Sequence, residues 1–146
     1  MNRRDKMIPK FRAWEPDTKF MNDQVRVTSN RFGDGEILVE ATDAFGWVEV
    51  QPEYLMQSTG LKDKNRVEVF QGDIVKVTDE DEEYSYISVV KNYAEEGYPA
   101  FDIEYPSDWE YESNALSTIM SGGYETIEII GNIYENPELL EQANEN

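Results

Sequence analysis

The chain has 146 residues, no Cys and no His, and carries 13 Lys and Arg against 31 Asp and Glu for a formal net charge of −18. Its length suits one domain or two small lobes sharing a core, which can bury roughly two-thirds of the unfolded surface without crosslinks. The missing residue types exclude disulfides, thiolate metal sites, Cys nucleophiles, His general bases and any triad built on His.

The charge is unevenly placed. All 13 bases fall within residues 1–91, whereas residues 92–146 hold 13 acids and no base. A surface of one sign repels bare nucleic acid and anionic membrane and favours basic partners. With 12% aromatic residues and β-branched runs separated by turn residues, the chain reads as folded rather than disordered. No stretch approaches the ~20 apolar residues of a membrane span, and the start lacks the apolar core of a signal peptide, so a cytoplasmic location without membrane contact is expected.

In chain order, residues 1–7 read as a flexible leader. Residues 8–14 and 20–27 flank Glu15-Pro16-Asp17-Thr18-Lys19, a hairpin turn in which Pro presets φ and Asp closes the loop. Arg31-Phe32-Gly33-Asp34-Gly35 is a second turn, followed by two short β-rich runs, 36–40 and 47–50, around residues 43–46. Pro52 opens a helical turn through Gln57 that Gly60 stops, and Asn65, in a left-handed conformation, reverses the chain into residues 67–70. Gly72-Asp73 opens a strand over 74–77, with Asp73 accepting from the amides that follow. The acidic run Asp79-Glu80-Asp81-Glu82-Glu83 is an exposed hairpin tip before a strand over 84–90.

Phe101-Asp102-Ile103-Glu104-Tyr105 alternates with period two, placing Phe101, Ile103 and Tyr105 inward and Asp102 and Glu104 outward. Residues 106–113 form an acidic aromatic loop. Residues 114–120 read as a helical turn or a strand broken by Gly122-Gly123, and 124–134 as a β run interrupted by Gly131. Asn136 as N-cap and Pro137 at the first helical position start a short helix that ends by Asn144. The expected fold is mainly β: a small antiparallel sheet lobe over 8–53, a barrel-like lobe of the small SH3 type over 54–141, a short C-terminal helix and a frayed tail at 142–146.

For chemistry, the run at Asp79 invites a Ca²⁺ reading, but the sixth and twelfth positions of an EF-hand loop would be Tyr84 and Val90 instead of Gly and Glu. The glycines form neither a phosphate loop nor a dinucleotide fingerprint. Lys62, Lys64 and Arg66 are a small basic cluster, better explained by a local ion pair with the acidic third than by phosphate binding. Trp14 and Trp47 are expected in the core. No catalytic, cofactor-binding or metal residue is assigned, and no cofactor is expected. The candidate surface for a basic protein partner comprises Asp102, Glu104, Asp108, Trp109, Glu110, Tyr111 and Glu112, an aromatic anchor among carboxylates, on an acidic face shared with the run Asp79 to Glu83.

Three tracts carry a family resemblance: Phe11-Arg12-Ala13-Trp14; residues 55–65 with Val69-Phe70-Gln71-Gly72-Asp73-Ile74-Val75-Lys76-Val77; and Ile129-Ile130-Gly131-Asn132-Ile133-Tyr134-Glu135-Asn136-Pro137-Glu138-Leu139-Leu140. Across most of residues 8–141 the chain resembles the YopX family of phage and prophage proteins. It departs from that pattern at Arg66, where Gly is more usual, and at Gln71, where an acid is more usual. The resemblance implies an accessory protein, mostly β and self-associating, and transfers no catalytic residue. The preferred expectation is a non-enzymatic interaction protein that binds a host or phage protein and no nucleic acid directly. The alternatives are a DNA-mimic inhibitor of a nucleic-acid enzyme, with carboxylates spaced like phosphates, and a Mg²⁺-dependent hydrolase using grouped carboxylates.

Overall fold

A computed structural model describes residues 10–29, 37–42, 46–94, 100–111 and 114–144. The fold is mainly β, with two short α-helices among the described residues. The chain divides into two compact units, residues 1–58 and 59–146, and the division falls inside its longest strand.

In the first unit, β1 (Phe11–Glu15) and β2 (Phe20–Asn22) form the expected hairpin, with Trp14 opposite Met21. The expected strand over 20–27 is broken at Asn22, which is almost fully buried. Its Nδ2 donates to the Thr42 carbonyl (3.0 Å) and its Oδ1 accepts from the Gln24 amide (2.8 Å). An amide side chain bonded to the backbone two residues on offers the chain a turn in place of a ladder. The chain therefore leaves this sheet and enters another, in which β3 (Val25–Ser29), β4 (Ile37–Thr42) and β5 (Trp47–Glu49) pair antiparallel in that order. Ala13, Val39, Ala41 and Val50 form the core, with Val25, Val27, Tyr54 and Leu55 packed against them. The turn expected at Arg31 to Gly35 lies outside the described residues, as does the leader at 1–7.

Trp14 is buried as expected, but Trp47 is not: it is 43% exposed. It lies on β5, an edge strand of three exposed residues. Its ring is covered by Arg26, whose guanidinium carbon lies 4.0 Å from the ring centroid and whose Nη2 is 2.9 Å from Glu40 Oε1.

Pro52–Tyr54 is a 3-10 turn. The tract that follows is a strand, β6 (Leu55–Lys62), rather than a continued helical turn. Gly60 lies inside it at φ 79°, accommodating a kink rather than stopping an element. The first residues of β6 pair antiparallel with β1, and Ser58 donates to the Lys10 carbonyl at 2.8 Å.

In the second unit, Thr59 Oγ1 donates to the carbonyl of Val69 in β7 (Glu68–Phe70) at 2.8 Å. The intervening turn is organised by the buried carboxylate of Asp63. Its Oδ1 accepts from the Asn65 and Val67 amides, both at 2.9 Å, and its Oδ2 accepts from the Ile129 amide at 3.0 Å. The left-handed residue is Arg66, at φ 65°, and not Asn65. Three amides converging on Asp63 set this geometry and override the intrinsic preference of Asn.

β8 (Asp73–Thr78) is the central strand between β9 (Ser85–Val89) and β12 (Thr126–Asn132), antiparallel to both. Ile74, Val75 and Val77 are buried while Lys76 faces water. Asp73 is fully buried, and its Oδ2 accepts from the amide of Phe70, three residues before it, at 2.7 Å. The register shifts between Ile129 and Gly131, a bulge that bends β12; one of the antiparallel sheets curls into half a barrel.

The short strands β10 (Lys91–Asn92) and β11 (Phe101–Asp102) pair with each other. The ambiguous segment after them is helix α1 (Ala115–Gly122), capped by Asn114 before it and by Gly123, at φ 76°, after it. Helix α2 (Glu138–Asn144) follows β12. Val69, Val75, Val77, Tyr86, Leu116 and Ile127 are central to the core of this unit. Lys64 pairs with Glu128 at 3.2 Å, the local ion pair expected for the basic cluster.

Candidate partner-binding cleft

The cleft lies in the second unit, between the β8–β9 hairpin tip and the loop after β11. At the tip, Asp79 Oδ1 accepts from the amides of Glu83 (2.9 Å) and Tyr84 (3.2 Å), closing the turn that Glu82 completes at φ 59°. Glu80 to Glu83 are exposed, as like charges on a solvated turn require, and Tyr84 is 67% exposed beside them.

Across from the tip, the Trp109 amide donates to the Pro106 carbonyl at 3.0 Å, folding the loop back on itself. The Trp109 ring packs edge-on with Tyr86 of β9, with centroids 4.7 Å apart and planes at 73°. Tyr111 packs in the same manner with Tyr105, at 4.7 Å and 80°. Such aromatic pairs add about 0.5–1.5 kcal/mol beyond the area they bury. They hold the loop without a ladder.

A chain of hydrogen bonds runs under this loop. Tyr111 donates its hydroxyl to Glu125 Oε2 at 2.6 Å, and the hydroxyls of Tyr86 and Tyr111 lie 2.8 Å apart. Each phenol has one proton, so Tyr86 donates to Tyr111 and Tyr111 to Glu125. Burial raises the ionisation of both phenols well above the usual tyrosine range, and donation to the Glu125 carboxylate raises that of Tyr111 further.

These parts border a cleft of about 640 Å³. Asp79, Asp108, Glu110 and Glu125 supply carboxylates to its wall, and Tyr84, Pro106 and Trp109 supply flat apolar surface. Among the described residues, no Lys or Arg forms an ion pair with any of the four acids. Nor is any group of three or more acids among the described residues placed to hold one metal ion.

Of the residues anticipated for partner binding, Asp108, Trp109 and Glu110 come together in this wall. Tyr111 lies behind it as the hydrogen-bond donor that orients Glu125. Glu104 is elsewhere, exposed and 3.4 Å from Lys91 Nζ. Glu112 lies outside the described residues.

Asp102 does not face water as its alternation implied. It is half-buried, and its Oδ1 accepts from the amides of Ile103 (2.8 Å) and Leu116 (3.1 Å), the latter in the first turn of α1. The four free amides of a helix start attract a carboxylate. That pull ends the ladder at β11 after two residues, so the half-buried strand expected over 101–105 does not form, although Ile103 is buried.

The acidic run from Asp79 is expected on the same face as the loop, and Asp79 does line the cleft, whereas Glu125 has no place in that expectation. Glu125 is one of two acids, with Glu128, in a β-prone run, and nothing near it in sequence marks it out. Only the antiparallel pairing of β8 with both β9 and β12 brings Glu125 and Asp79 to one end of the sheet.

Fold and site together define a mainly β, strongly acidic protein with an aromatic-walled anionic cleft. The chain belongs to the YopX family: the family model described as YopX protein matches residues 10–141. Among solved structures, protein EF1440 from Enterococcus faecalis is similar at 30% identity with a TM-score of 0.57, covering 91% of this chain and 98% of that one. Protein yopX from Bacillus subtilis shares the fold at 23% identity with a TM-score of 0.59, covering 89% and 96% respectively. No curated protein matches the chain.

Proposed function

We propose that the protein is a non-enzymatic accessory protein of phage or prophage whose second unit binds a basic segment of a host or phage protein. The observation that carries this reading is the cleft itself. Four carboxylates line it without a described base to neutralise them, beside an aromatic wall. Such a composition meets a cationic surface with complementary potential, which speeds encounter and excludes anionic competitors. The acids are also spread around the cleft rather than grouped on one point. That arrangement suits an extended cation such as a peptide better than a single metal ion.

The test is titration of the purified protein with a short amidated cationic peptide at increasing ionic strength. Binding is expected at low salt and should weaken as salt screens it. Charge reversal of Asp108 and Glu110 should abolish it. Reversal of Glu104, outside the cleft, is the control, and an equal loss from Glu104→Lys alone would reject the cleft as the binding surface.

A further inference from the structure

We propose that the cleft seats an arginine side chain of the partner, its guanidinium plane against Trp109 and its donor fork on the flanking carboxylates. This deepens the reading above and rests on it. The first unit contains a filled version of the same arrangement. Arg26 lies over the Trp47 ring at 4.0 Å, while its Nε and Nη2 each reach Glu40 Oε1 at 2.9 Å. One guanidinium there satisfies both an exposed indole face and a carboxylate. In the cleft, Trp109 stands beside Glu110 and Asp108 with no described arginine to do the same.

The receiving groups are already oriented. Tyr86 fixes the Trp109 ring from one side, and the Tyr111 hydroxyl holds Glu125 by Oε2, leaving Oε1 without a hydrogen bond from any described residue. Asp79 is held in the same way through Oδ1, with Oδ2 left over. A cleft of about 640 Å³ is large enough for a long side chain with its flanking backbone.

The chemistry selects arginine over lysine. An ammonium is a compact, strongly hydrated charge, whereas a guanidinium is planar, less hydrated, stacks on an indole and presents paired donors to carboxylates on either side. The cleft brings carboxylates and a half-buried indole into one lining, and a guanidinium can engage both.

Two amidated peptides of equal charge separate the possibilities, one with a central arginine flanked by lysines and the other with lysine in its place. In a titration at low ionic strength the arginine peptide is expected to bind about fivefold more tightly, the size of a partly desolvated cation–π contact. Trp109→Leu should remove that preference, and Asp108→Asn with Glu110→Gln should weaken the arginine peptide most. Equal binding of both peptides would overturn the arginine seat and leave the acidic-surface reading standing. No binding of either would overturn both. Because Trp109→Leu removes a packing partner of Tyr86, the Trp109 indole resonance of the unsubstituted protein is the second measurement. If the arginine peptide does not move that resonance, the proposal fails.

Discussion

Gly131 lies directly beneath Asn136: a Cβ added at Gly131 would meet Asn136 Oδ1 at 2.5 Å and Asn136 Cβ at 2.8 Å. The closeness serves a pair of reciprocal bonds. Asn136 Oδ1 accepts from the Asn132 amide at 3.3 Å, and the Asn136 amide donates to the Asn132 carbonyl at 2.9 Å. Buried Asn132 in turn accepts from the Tyr134 and Glu135 amides through Oδ1. The Asn136 side chain is thus turned back toward Asn132 rather than forward as the cap expected for α2.

Gly131→Ala is therefore expected to destabilise the protein by about 1–3 kcal/mol, the range for overpacking against a hydrogen-bonded group. In an Asn136→Gly background the same substitution should cost much less, since the atoms it strikes are gone. Chemical denaturation of the four corners of this cycle measures the difference. Additive effects would mean that the two residues do not oppose each other.

Asp63 is the second device hidden in a family motif. A single buried carboxylate satisfies three amides, two in its own turn and one on β12, 66 residues away. Asp63→Ala leaves them without an acceptor and should cost roughly 2–4 kcal/mol, given the price of several desolvated donors. Asp63→Asn, which keeps one acceptor oxygen, should recover part of that. Amide exchange at Ile129 is the specific readout, and protection there that survives Asp63→Ala would contradict the assignment.

Both devices bear on how far residue order exposed the fold. Turn residues and period-two runs mark β8, β9, the first hairpin and the solvated tip, because these depend on neighbours within a few positions. Asp102 is different. Its fate is decided by Leu116, whose amide competes successfully with the next rung of the ladder. Trp47 is apolar enough for a core, yet β5 lies at a sheet edge, and Arg26 from another strand covers the ring. The loop half of the cleft was legible as aromatic residues among acids. Glu125 was not, because strand pairing alone brings it to the same end of the sheet as Asp79.

Arg66 bears a testable strain. It is exposed and at φ 65°, where a Cβ is unfavourable and Gly is free of that cost. Arg66→Gly should stabilise the protein by roughly 0.5–1 kcal/mol, the left-handed penalty less the added flexibility of the unfolded chain. Arg66→Ala should give little or no gain. If thermal denaturation shows Ala and Gly to be equivalent, the effect arises from the charge rather than from the backbone.

The Tyr86, Tyr111 and Glu125 chain predicts alkaline behaviour. Both phenols ionise above the usual tyrosine range, chiefly because burial disfavours the phenolate. Above pH ~10 the unfolded state releases these protons while the folded state retains them. Stability is therefore full below that value and falls as pH rises through and beyond it. In an absorbance titration of the phenolate band, two of the nine tyrosines should resist ionisation until the protein unfolds. Tyr111→Phe should remove one late titrating group, lessen the alkaline loss of stability, and release Glu125 from the bond that orients it toward the cleft. If all nine tyrosines ionise together near pH 10 in the folded protein, the hydrogen-bonded chain does not exist in solution, and the pre-set orientation of Glu125 goes with it.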